Sequence, residues 1–246
     1  MIKDERTNKI MEILQTEKYV TVQRLVEQLH YSPATVRRDI TYLANCGIIK
    51  KCYGGITIKD GINPSLIRER EYSKEKVRMC KYAAKLINDH DRIFIDGSTS
   101  TYFIKNFLDN KKDITIVTSN IKLALELGEI GADCYVTGGK ITDNIILSGY
   151  GAIDTISKMS FDVGFFSVGS FSEDGELGLS DNLVDMTRAI IERSKKAVCL
   201  CDGSKFNKKH FLATESFANI DCFISNIPPQ KKLTEKFPNV EFITTE

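Results

Sequence analysis

The sequence lacks several features that define large classes of proteins. No apolar stretch approaches the ~20 residues that a membrane-spanning helix requires. The amino terminus, Met-Ile-Lys-Asp-Glu-Arg, is charged and unlike a secretory signal peptide. The seven cysteines are scattered without a Cys-x-x-Cys pair, which disfavours a zinc site or a disulfide framework. We therefore expect a cytoplasmic protein with reduced cysteines, without a membrane partner, a metal or another cofactor.

The small net charge of +1 conceals an asymmetry along the chain. Residues 1–60 contain ten Lys or Arg and seven Asp or Glu, whereas the remainder contains 24 and 26. Within residues 32–59, five cations accompany a single acidic residue, Asp39. An excess of this size does not by itself indicate nucleic-acid binding, because charged runs are usually solvated surface. The positions of the five cations decide the interpretation.

Three helices are predicted in the first 45 residues. Ile10, Ile13 and Leu14 recur at helical spacing, which predicts a helix over residues 4–17. Thr21 suits the N-cap of a second helix that ends near Leu29. Ser32-Pro33 is a strong start signal for a third helix, which runs to about Asn45. Two short helices joined by a tight turn have the spacing of a helix-turn-helix.

The third predicted helix has two different faces. Its inner stripe consists of Val36, Ile40 and Leu43. Its outer stripe consists of Ala34, Arg37, Arg38 and Thr41. A small, polar and cationic outer face is typical of a recognition helix that reads the major groove. Asp39 lies between the two stripes, so we expect it to hold a neighbouring cation in place.

A hairpin is predicted after the third helix. Residues 48–58 form two short β-prone runs separated by Gly54-Gly55, which indicates the wing of a winged helix-turn-helix. Its cations would lie near the duplex backbone. The predicted DNA contacts are Ser32, Ala34, Thr35, Arg37, Arg38, Thr41, Lys50, Lys51 and Tyr53. The alternative is a small helical module that binds another protein.

This segment resembles the DNA-binding domain of the DeoR family of bacterial regulators. The resemblance rests on the run Tyr-Ser-Pro-Ala-Thr-Val-Arg-Arg-Asp-Ile at 31–40, followed by Leu43, Gly47, Ile49 and Gly54-Gly55. The family usually has a histidine where this chain has Tyr53, which alters the contacts of the wing. Membership implies a transcription regulator that binds double-stranded operator DNA, with repression as the usual outcome.

The remainder of the chain predicts a second, larger domain. Residues 59–72 contain Gly61, Pro64 and a charged stretch, and we interpret them as a linker between domains 1–58 and 73–246. From residue 73 onward, short β-rich runs alternate with helices, which indicates an α/β fold with a mainly parallel, covered sheet. Strands are predicted at 92–96, 114–118, 134–137, 163–168, 197–201, 222–225 and 240–243.

Polar, hydroxyl-rich loops follow four of these strands: 96–101, 118–120, 137–140 and 202–205. Ligands of such sheets sit beyond the carboxyl ends of the strands, and glycine turns into helices suit anions. The alternative to a ligand site is that these hydroxyls only cap helices. The predicted effector-binding residues are Asp96, Gly97, Ser98, Thr99, Ser100, Thr101, Gly138, Gly139, Lys140, Asp202 and Lys205.

The resemblance to the DeoR family extends over this domain, through the 96–101 loop, Gly138-Gly139, Gly149, Asp162 and the run 202–206. It implies a sensor domain similar in fold to ribose-5-phosphate isomerase, a phosphorylated sugar or related metabolite as effector, and control of carbohydrate-metabolism genes. Two departures from the family pattern are Thr118-Ser119-Asn120 and Thr187. Paired recognition domains on a two-fold operator further indicate a homodimer or homotetramer.

Two other functions compete with this interpretation. An isomerase-like enzyme would need a general base on a carbon-bound proton, with Asp96, Asp162, Asp181 and Asp202 as nominal candidates. No compact acid/base motif surrounds them, and the three histidines occur in unrelated contexts. We therefore expect no catalysis. A purely architectural DNA binder would not account for a second domain with polar strand ends.

Overall fold

The computed structural model describes residues 3–45, 47–59, 73–142, 145–179, 181–208 and 212–245. The chain divides into two compact units, residues 1–72 and 73–246. Nearly all of the predicted linker, together with His210, Cys46 and the side chain of Asp181, lies outside the described part. None of the helices in the described ranges combines the length and apolarity that crossing a bilayer requires.

The first unit contains three helices and a three-stranded sheet. Its elements are α1 (Lys3–Glu17), β1 (Tyr19–Thr21), α2 (Val22–Leu29), α3 (Pro33–Asn45), β2 (Ile49–Cys52) and β3 (Gly55–Ile58). The antiparallel sheet has the order β1-β3-β2, with Tyr19 opposite Thr57 and Ile49 opposite Ile58. The predicted three helices and wing are confirmed.

Local signals in the sequence define the ends of these helices. The Thr21 side chain accepts a hydrogen bond from the Arg24 amide at 3.2 Å, which caps α2. His30 ends α2 in the left-handed conformation, and its amide donates to the Val26 carbonyl. The Ser32 hydroxyl caps α3 through the Thr35 amide at 3.3 Å. Gly47, at φ +71°, follows α3 in the conformation that glycine tolerates best.

One apolar core holds the first unit together. Its fully buried side chains come from every helix and from the wing, and they include Ile10, Leu14, Leu25, Val36, Leu43 and Ile56. The inner stripe of α3 is buried as predicted. Because this stripe is apolar and the opposite one is polar, α3 presents its outer stripe to solvent.

The second unit is an α/β domain. Its strands are β4 (Arg92–Ile95), β5 (Thr115–Thr118), β6 (Asp133–Val136), β7 (Lys140–Thr142), β8 (Ile146–Ser148), β9 (Phe161–Phe166), β10 (Ser170–Phe171), β11 (Glu176–Leu179), β12 (Ser194–Leu200), β13 (Leu212–Ser216), β14 (Cys222–Ser225) and β15 (Glu241–Thr244). Its helices are α4 (Ser73–Ala83), α5 (Ile121–Glu129), α6 (Tyr150–Ser157), α7 (Asp181–Arg193) and α8 (Lys231–Lys236). Residues Tyr102–Phe107, which follow the loop after β4, form a 3-10 helix.

Seven parallel strands form the main sheet in the order β15-β14-β12-β9-β4-β5-β6. The chain starts in the middle at β4, proceeds outward through β5 and β6, and returns to the other side of β4 with β9. The direction of strand order therefore changes between β4 and β9. Such a switch point opens a crevice at the carboxyl ends of the strands, where α/β proteins bind ligands.

Each face of the main sheet carries its own core, as alternation along a strand requires. Ile93 and Ile95 pack with α4 and α5 on one face, whereas Phe94 packs with α6 and α7 on the other. The sheet is therefore covered on both sides, as predicted for a parallel sheet.

Two small sheets were not predicted. Strands β7 and β8 form a hairpin, and β10, β11 and β13 form an antiparallel sheet. Their strands have two to five residues, too few to produce a periodic pattern.

Candidate DNA-reading surface and effector site

The outer stripe of α3 is open to solvent. Ala34, Arg37, Arg38 and Thr41 are exposed, Ser32 is exposed at the cap, and Thr35 is partly buried against it. Among the described residues, no carboxylate forms an ion pair with Arg37 or Arg38. Two guanidinium groups therefore project into solvent from α3, where the sequence predicts contacts with base edges in a major groove.

The wing, residues 49–58, presents its own cations beside α3. Lys50 and Lys51 are exposed, and Tyr53 at the turn is fully exposed. The Lys51 Nζ donates to the Thr41 Oγ1 at 2.9 Å, which joins the wing to the recognition helix. The predicted DNA contacts thus lie on two elements that meet along one groove, lined in part by Arg37, Thr41 and Lys51.

A buried ion pair orients the recognition helix. Asp39 is buried and accepts hydrogen bonds from Arg6 Nε at 2.8 Å and Nη2 at 3.0 Å. The hydrogen bonds that Arg6 donates to Asp39 raise the pKa of Arg6 above its ordinary value. The prediction that Asp39 holds a cation is confirmed, and α1 supplies that cation. Arg6 could not be identified as the partner from sequence, because the two residues are far apart in the chain.

The loop after β4 is organised around the Asp96 carboxylate. Its Oδ1 accepts from the Ser98 amide at 3.0 Å, the Ser98 hydroxyl at 2.7 Å and the Thr101 hydroxyl at 2.5 Å. Its Oδ2 accepts from the Ser167 amide at 3.0 Å, which ties β4 to β9 across the switch point. Burial raises the pKa of Asp96, against the effect of these hydrogen bonds.

Lys205 reaches the same place from the loop after β12. Its Nζ donates to the Ser167 hydroxyl at 2.9 Å and lies 3.3 Å from the Ser100 hydroxyl. Asp202, buried at the start of that loop, accepts from the Ser204 amide and hydroxyl and does not face the ammonium as an ion partner. We call Asp96, Ser98, Ser100, Thr101, Ser167 and Lys205 the Asp96 cluster.

Two members of this region escaped prediction. Ser167 directly follows β9, where no motif marks it. Lys76, in the first turns of α4, is 3% exposed and donates from Nζ to the Thr99 hydroxyl at 3.1 Å. A lysine inside a run of charged residues is expected at the surface, so only the packing reveals its burial.

Backbone amides add to the donors of this loop. Among the described residues, the amides of Gly97, Thr99 and Ser100 meet no acceptor. Gly97 lies under Ile146, whose side chain would be 2.5 Å from a Cβ at position 97. Backbone amides without an acceptor, near an ammonium group, are donors of the kind that bind phosphate or carboxylate.

The Gly138–Lys140 segment occupies a different environment. Gly139, at φ +118°, approaches the Ser148 carbonyl so closely that a Cβ would lie 2.4 Å from it. Lys140 is exposed on β7. In the part of the chain that is described, no hydrogen bond joins this segment to the Asp96 cluster. Packing against β8 and α6 accounts for Gly139, and the role of both glycines toward an effector stays a prediction.

Asp162, another residue on which the resemblance rests, lies at the opposite end of the strands, near the amino end of β9. Its Oδ2 accepts a hydrogen bond from the Arg92 amide at 2.8 Å, and its Oδ1 accepts one from the Lys195 Nζ at 2.8 Å. The Arg92 amide, followed by Lys195, holds the pKa of Asp162 below its usual range. Asp162 is thus far from the strand ends that carry the Asp96 cluster.

The described cysteines are free and mostly buried. Burial raises the pKa of the Cys201 thiol to about 12, and it raises that of Cys199 as well. Such thiols are protonated at neutral pH and pack as small apolar side chains. In the described ranges, no group of three or more His, Cys, Asp or Glu residues is arranged to hold a metal.

The first unit defines a DNA-binding protein of the winged helix-turn-helix class. Residues 6–61 match the family model of the DeoR-like helix-turn-helix domain, and residues 71–226 match that of the DeoR C terminal sensor domain. The chain therefore belongs to the DeoR family, and it is a DNA-binding transcriptional regulator.

Similar proteins have similar lengths. The chain is 30% identical to the glycerol-3-phosphate regulon repressor of Escherichia coli (strain K12), covering 93% of each protein. It is 29% identical to the HTH-type transcriptional regulator IolR of Bacillus subtilis (strain 168), covering 92% of this chain and 95% of that one. These relatives are transcriptional regulators.

Solved structures with a related fold include ribose 5-phosphate isomerase A from Methanocaldococcus jannaschii, at 16% identity and a TM-score of 0.41, covering 56% of each chain. Another is eIF2B beta from Chaetomium thermophilum, at 15% identity and a TM-score of 0.48, covering 69% of this chain and 53% of that one. At these values the two similarities do not bear on activity.

Proposed function

We propose that this regulator is a repressor of carbohydrate-metabolism genes, and that a phosphorylated sugar or related metabolite bound at the Asp96 cluster changes its affinity for operator DNA. The observation that carries the proposal is Lys205, whose ammonium group bridges the loops after β4, β9 and β12. A relative named for repression of a glycerol-3-phosphate regulon supports both the sign of regulation and the phosphate.

The same geometry argues against catalysis. Asp96 accepts four hydrogen bonds from the protein itself, and Asp202 is engaged with Ser204. Asp162 lies at the amino end of β9, at the opposite end of the strands from the Asp96 cluster. A general base needs a free lone pair aimed at the substrate, which these arrangements do not offer. Steady isomerisation of ribose 5-phosphate by the purified protein would overturn this part of the proposal.

The DNA-binding assignment is tested by removing the predicted base contacts and the predicted phosphate contacts in separate variants. Arg37→Ala or Arg38→Ala should cost roughly 1–3 kcal/mol of operator binding, because a bidentate base contact is lost. Lys50→Gln with Lys51→Gln should weaken operator and scrambled duplex alike. It should also reduce the salt slope of log K by about 2, because two phosphate contacts disappear.

Titration of both duplexes by fluorescence anisotropy over a range of salt concentrations separates these effects. Lys112→Gln, which removes an exposed cation from the second unit, is the control for charge alone. A variant that combines the substitutions at Arg37, Arg38, Lys50 and Lys51 should bind the operator weakly. If it bound as tightly as wild type, the predicted face would not contact DNA.

Regulation is tested by operator binding with and without glycerol 3-phosphate, ribose 5-phosphate and glucose 6-phosphate. The matching sugar phosphate should shift operator affinity roughly 5- to 150-fold, and operator DNA should shift the affinity for that compound by the same factor. The unphosphorylated sugar should bind far more weakly. Lys205→Ala should remove the response, whereas Lys112→Ala should retain it.

We also propose that the protein binds its operator as a homodimer or homotetramer, because two-fold operators match two-fold proteins. Sedimentation velocity of the free protein and of its operator complex measures the subunit number directly. A monomer bound to a full operator would contradict it.

A further inference from the structure

The turn of the wing, Tyr53-Gly54, is held by contacts from outside the hairpin. Tyr19 Oη of β1 donates to the Tyr53 carbonyl at 2.9 Å. The amide of Val22, the first residue of α2, donates to the Gly54 carbonyl at 3.1 Å. This amide belongs to the first turn of a helix, where backbone donors have no partner within the helix. Two consecutive carbonyls of the wing turn therefore accept hydrogen bonds from two other elements of the first unit.

The backbone of the wing turn explains why such contacts are needed. Cys52 pairs with Gly55, so the hairpin loop has two residues. Two-residue loops match the twist of their strands when the first residue has a positive φ, as in types I′ and II′. Here the second residue has it instead: Gly54 is at φ +73°, whereas the φ of Tyr53 is not positive. The turn therefore lacks the geometry that stabilises a short hairpin by itself, and contacts from outside the hairpin stabilise it.

The Tyr19 ring also packs on the backbone of the wing. A Cβ at position 55 would lie 2.8 Å from Cζ and 2.8 Å from Oη of Tyr19, so the ring passes directly over Gly55. The strand register brings the two together, because Tyr19 pairs with Thr57 and Thr21 pairs with Gly55. Tyr19 thus contacts the end of the wing through both its ring and its hydroxyl group.

The residue that these contacts hold in place is Tyr53, whose side chain is fully exposed. It lies at the end of the strand that carries the exposed Lys50 and Lys51. A side chain on an ordered turn loses less freedom on binding than one on a loose loop, and pre-organisation of this kind strengthens binding. We propose that Tyr19 is a positioning residue of the DNA-reading surface, which holds the wing turn so that the Tyr53 side chain meets the duplex. This rests on the proposed function, in which the wing contacts DNA.

The test is operator binding by Tyr19→Phe, which keeps the ring and removes the hydroxyl group. Its affinity, measured by fluorescence anisotropy at fixed salt concentration, should fall roughly 2- to 10-fold, because one hydrogen bond no longer holds the turn. Thr57→Val is the matched control, since it removes another hydroxyl-to-carbonyl hydrogen bond of the same sheet, from Thr57 Oγ1 to Lys18 at 2.8 Å, outside the turn. Thr57→Val should bind the operator within about twofold of wild type.

A double-mutant cycle separates positioning from a loss of stability. Tyr53→Ala keeps the carbonyl that Tyr19 contacts but removes the side chain that it positions. In the Tyr53→Ala background, Tyr19→Phe should cause no further loss of operator affinity. An equal loss in both backgrounds, or an equal loss in Thr57→Val, would show a merely structural role and overturn the inference. Wild-type affinity of Tyr19→Phe would overturn it as well.

The same titrations distinguish this inference from the proposed function. If Tyr53→Ala bound the operator as tightly as wild type while Arg37→Ala bound weakly, the wing turn would not contact DNA. The inference would then be wrong, and the contact through α3 would stand. If neither substitution weakened binding, both would be wrong.

A second measurement follows the wing turn directly and without DNA. The chain contains no tryptophan, so Tyr53→Trp introduces a single fluorophore at the turn. Time-resolved anisotropy of its emission should show a larger amplitude of nanosecond motion when Tyr19→Phe is added, and no change when Thr57→Val is added. Equal motion with and without Tyr19→Phe would show that the hydroxyl group does not hold the turn, which would overturn the inference.

Discussion

The buried pair between Arg6 and Asp39 leads to the sharpest stability prediction. Asp39→Ala leaves the Arg6 guanidinium without its carboxylate inside the first unit. Removal of one partner of a buried pair typically costs about 3–5 kcal/mol. The Arg6 side chain is 15% exposed and can turn toward solvent, so we expect the lower end, about 3 kcal/mol.

Hydrogen–deuterium exchange read by mass spectrometry measures this change where it occurs. A loss of ~3 kcal/mol corresponds to an increase of roughly 100-fold in the opening equilibrium. Peptides from α1 and α3 should therefore exchange about 100-fold faster in Asp39→Ala. Peptides from β4 and β9 in the second unit should be unchanged and serve as an internal reference.

The control is the exposed pair between Glu17 and Arg24, whose side chains are 28% and 54% exposed. Glu17→Ala should change exchange less than about fivefold, because exposed pairs contribute only ~0–1 kcal/mol. If Asp39→Ala exchanged no faster than Glu17→Ala, the buried pair would not be what positions the recognition helix.

Two further predictions follow from single contacts. Gly55→Ala should abolish operator binding with the second unit intact by circular dichroism, because a Cβ there would lie 2.4 Å from the Val20 carbonyl and separate β3 from β1; normal anisotropy titrations would refute this. Asp162→Asn should destabilise the second unit by about 1 kcal/mol in urea unfolding at pH 7, since it weakens the hydrogen bonds from Arg92 and Lys195. Because the folded-state pKa of Asp162 is lowered, this contribution is present above its unfolded pKa of ~3.9 and is lost as the pH falls through the folded pKa. A difference from wild type that did not shrink as the pH was lowered below ~3.9 would contradict the assignment.

Local signals made the first unit predictable from sequence. Thr21 and Ser32-Pro33 mark helix starts by their own conformational preferences, and the structure confirms both of them. The long apolar strands of the main sheet were predictable for a similar reason, since each is a run of four or more β-prone residues. The alternation of strands with helices then indicated a parallel sheet.

The candidate site was only partly predictable, because its geometry depends on packing. The loop after β4 and Lys205 were recognisable from polar residues at strand ends, and the structure joins them through Ser167. Ser167 and Lys76 carry no motif of their own, and their environment exists only after β9 and α4 pack against β4. Gly139 illustrates the opposite case, a glycine next to a strand end that close backbone packing explains.

The order of strands in the main sheet has a consequence for folding during synthesis. Among the described residues, the core of the first unit lies between Ile10 and Ile58. By contrast, β4 must wait for β9, with which Ile93 pairs through Val163, and β9 must wait for β12. Domains fold during synthesis as their residues emerge, and non-local pairing is slow. The first unit can therefore complete its fold on the ribosome before all strands of the main sheet have been synthesised.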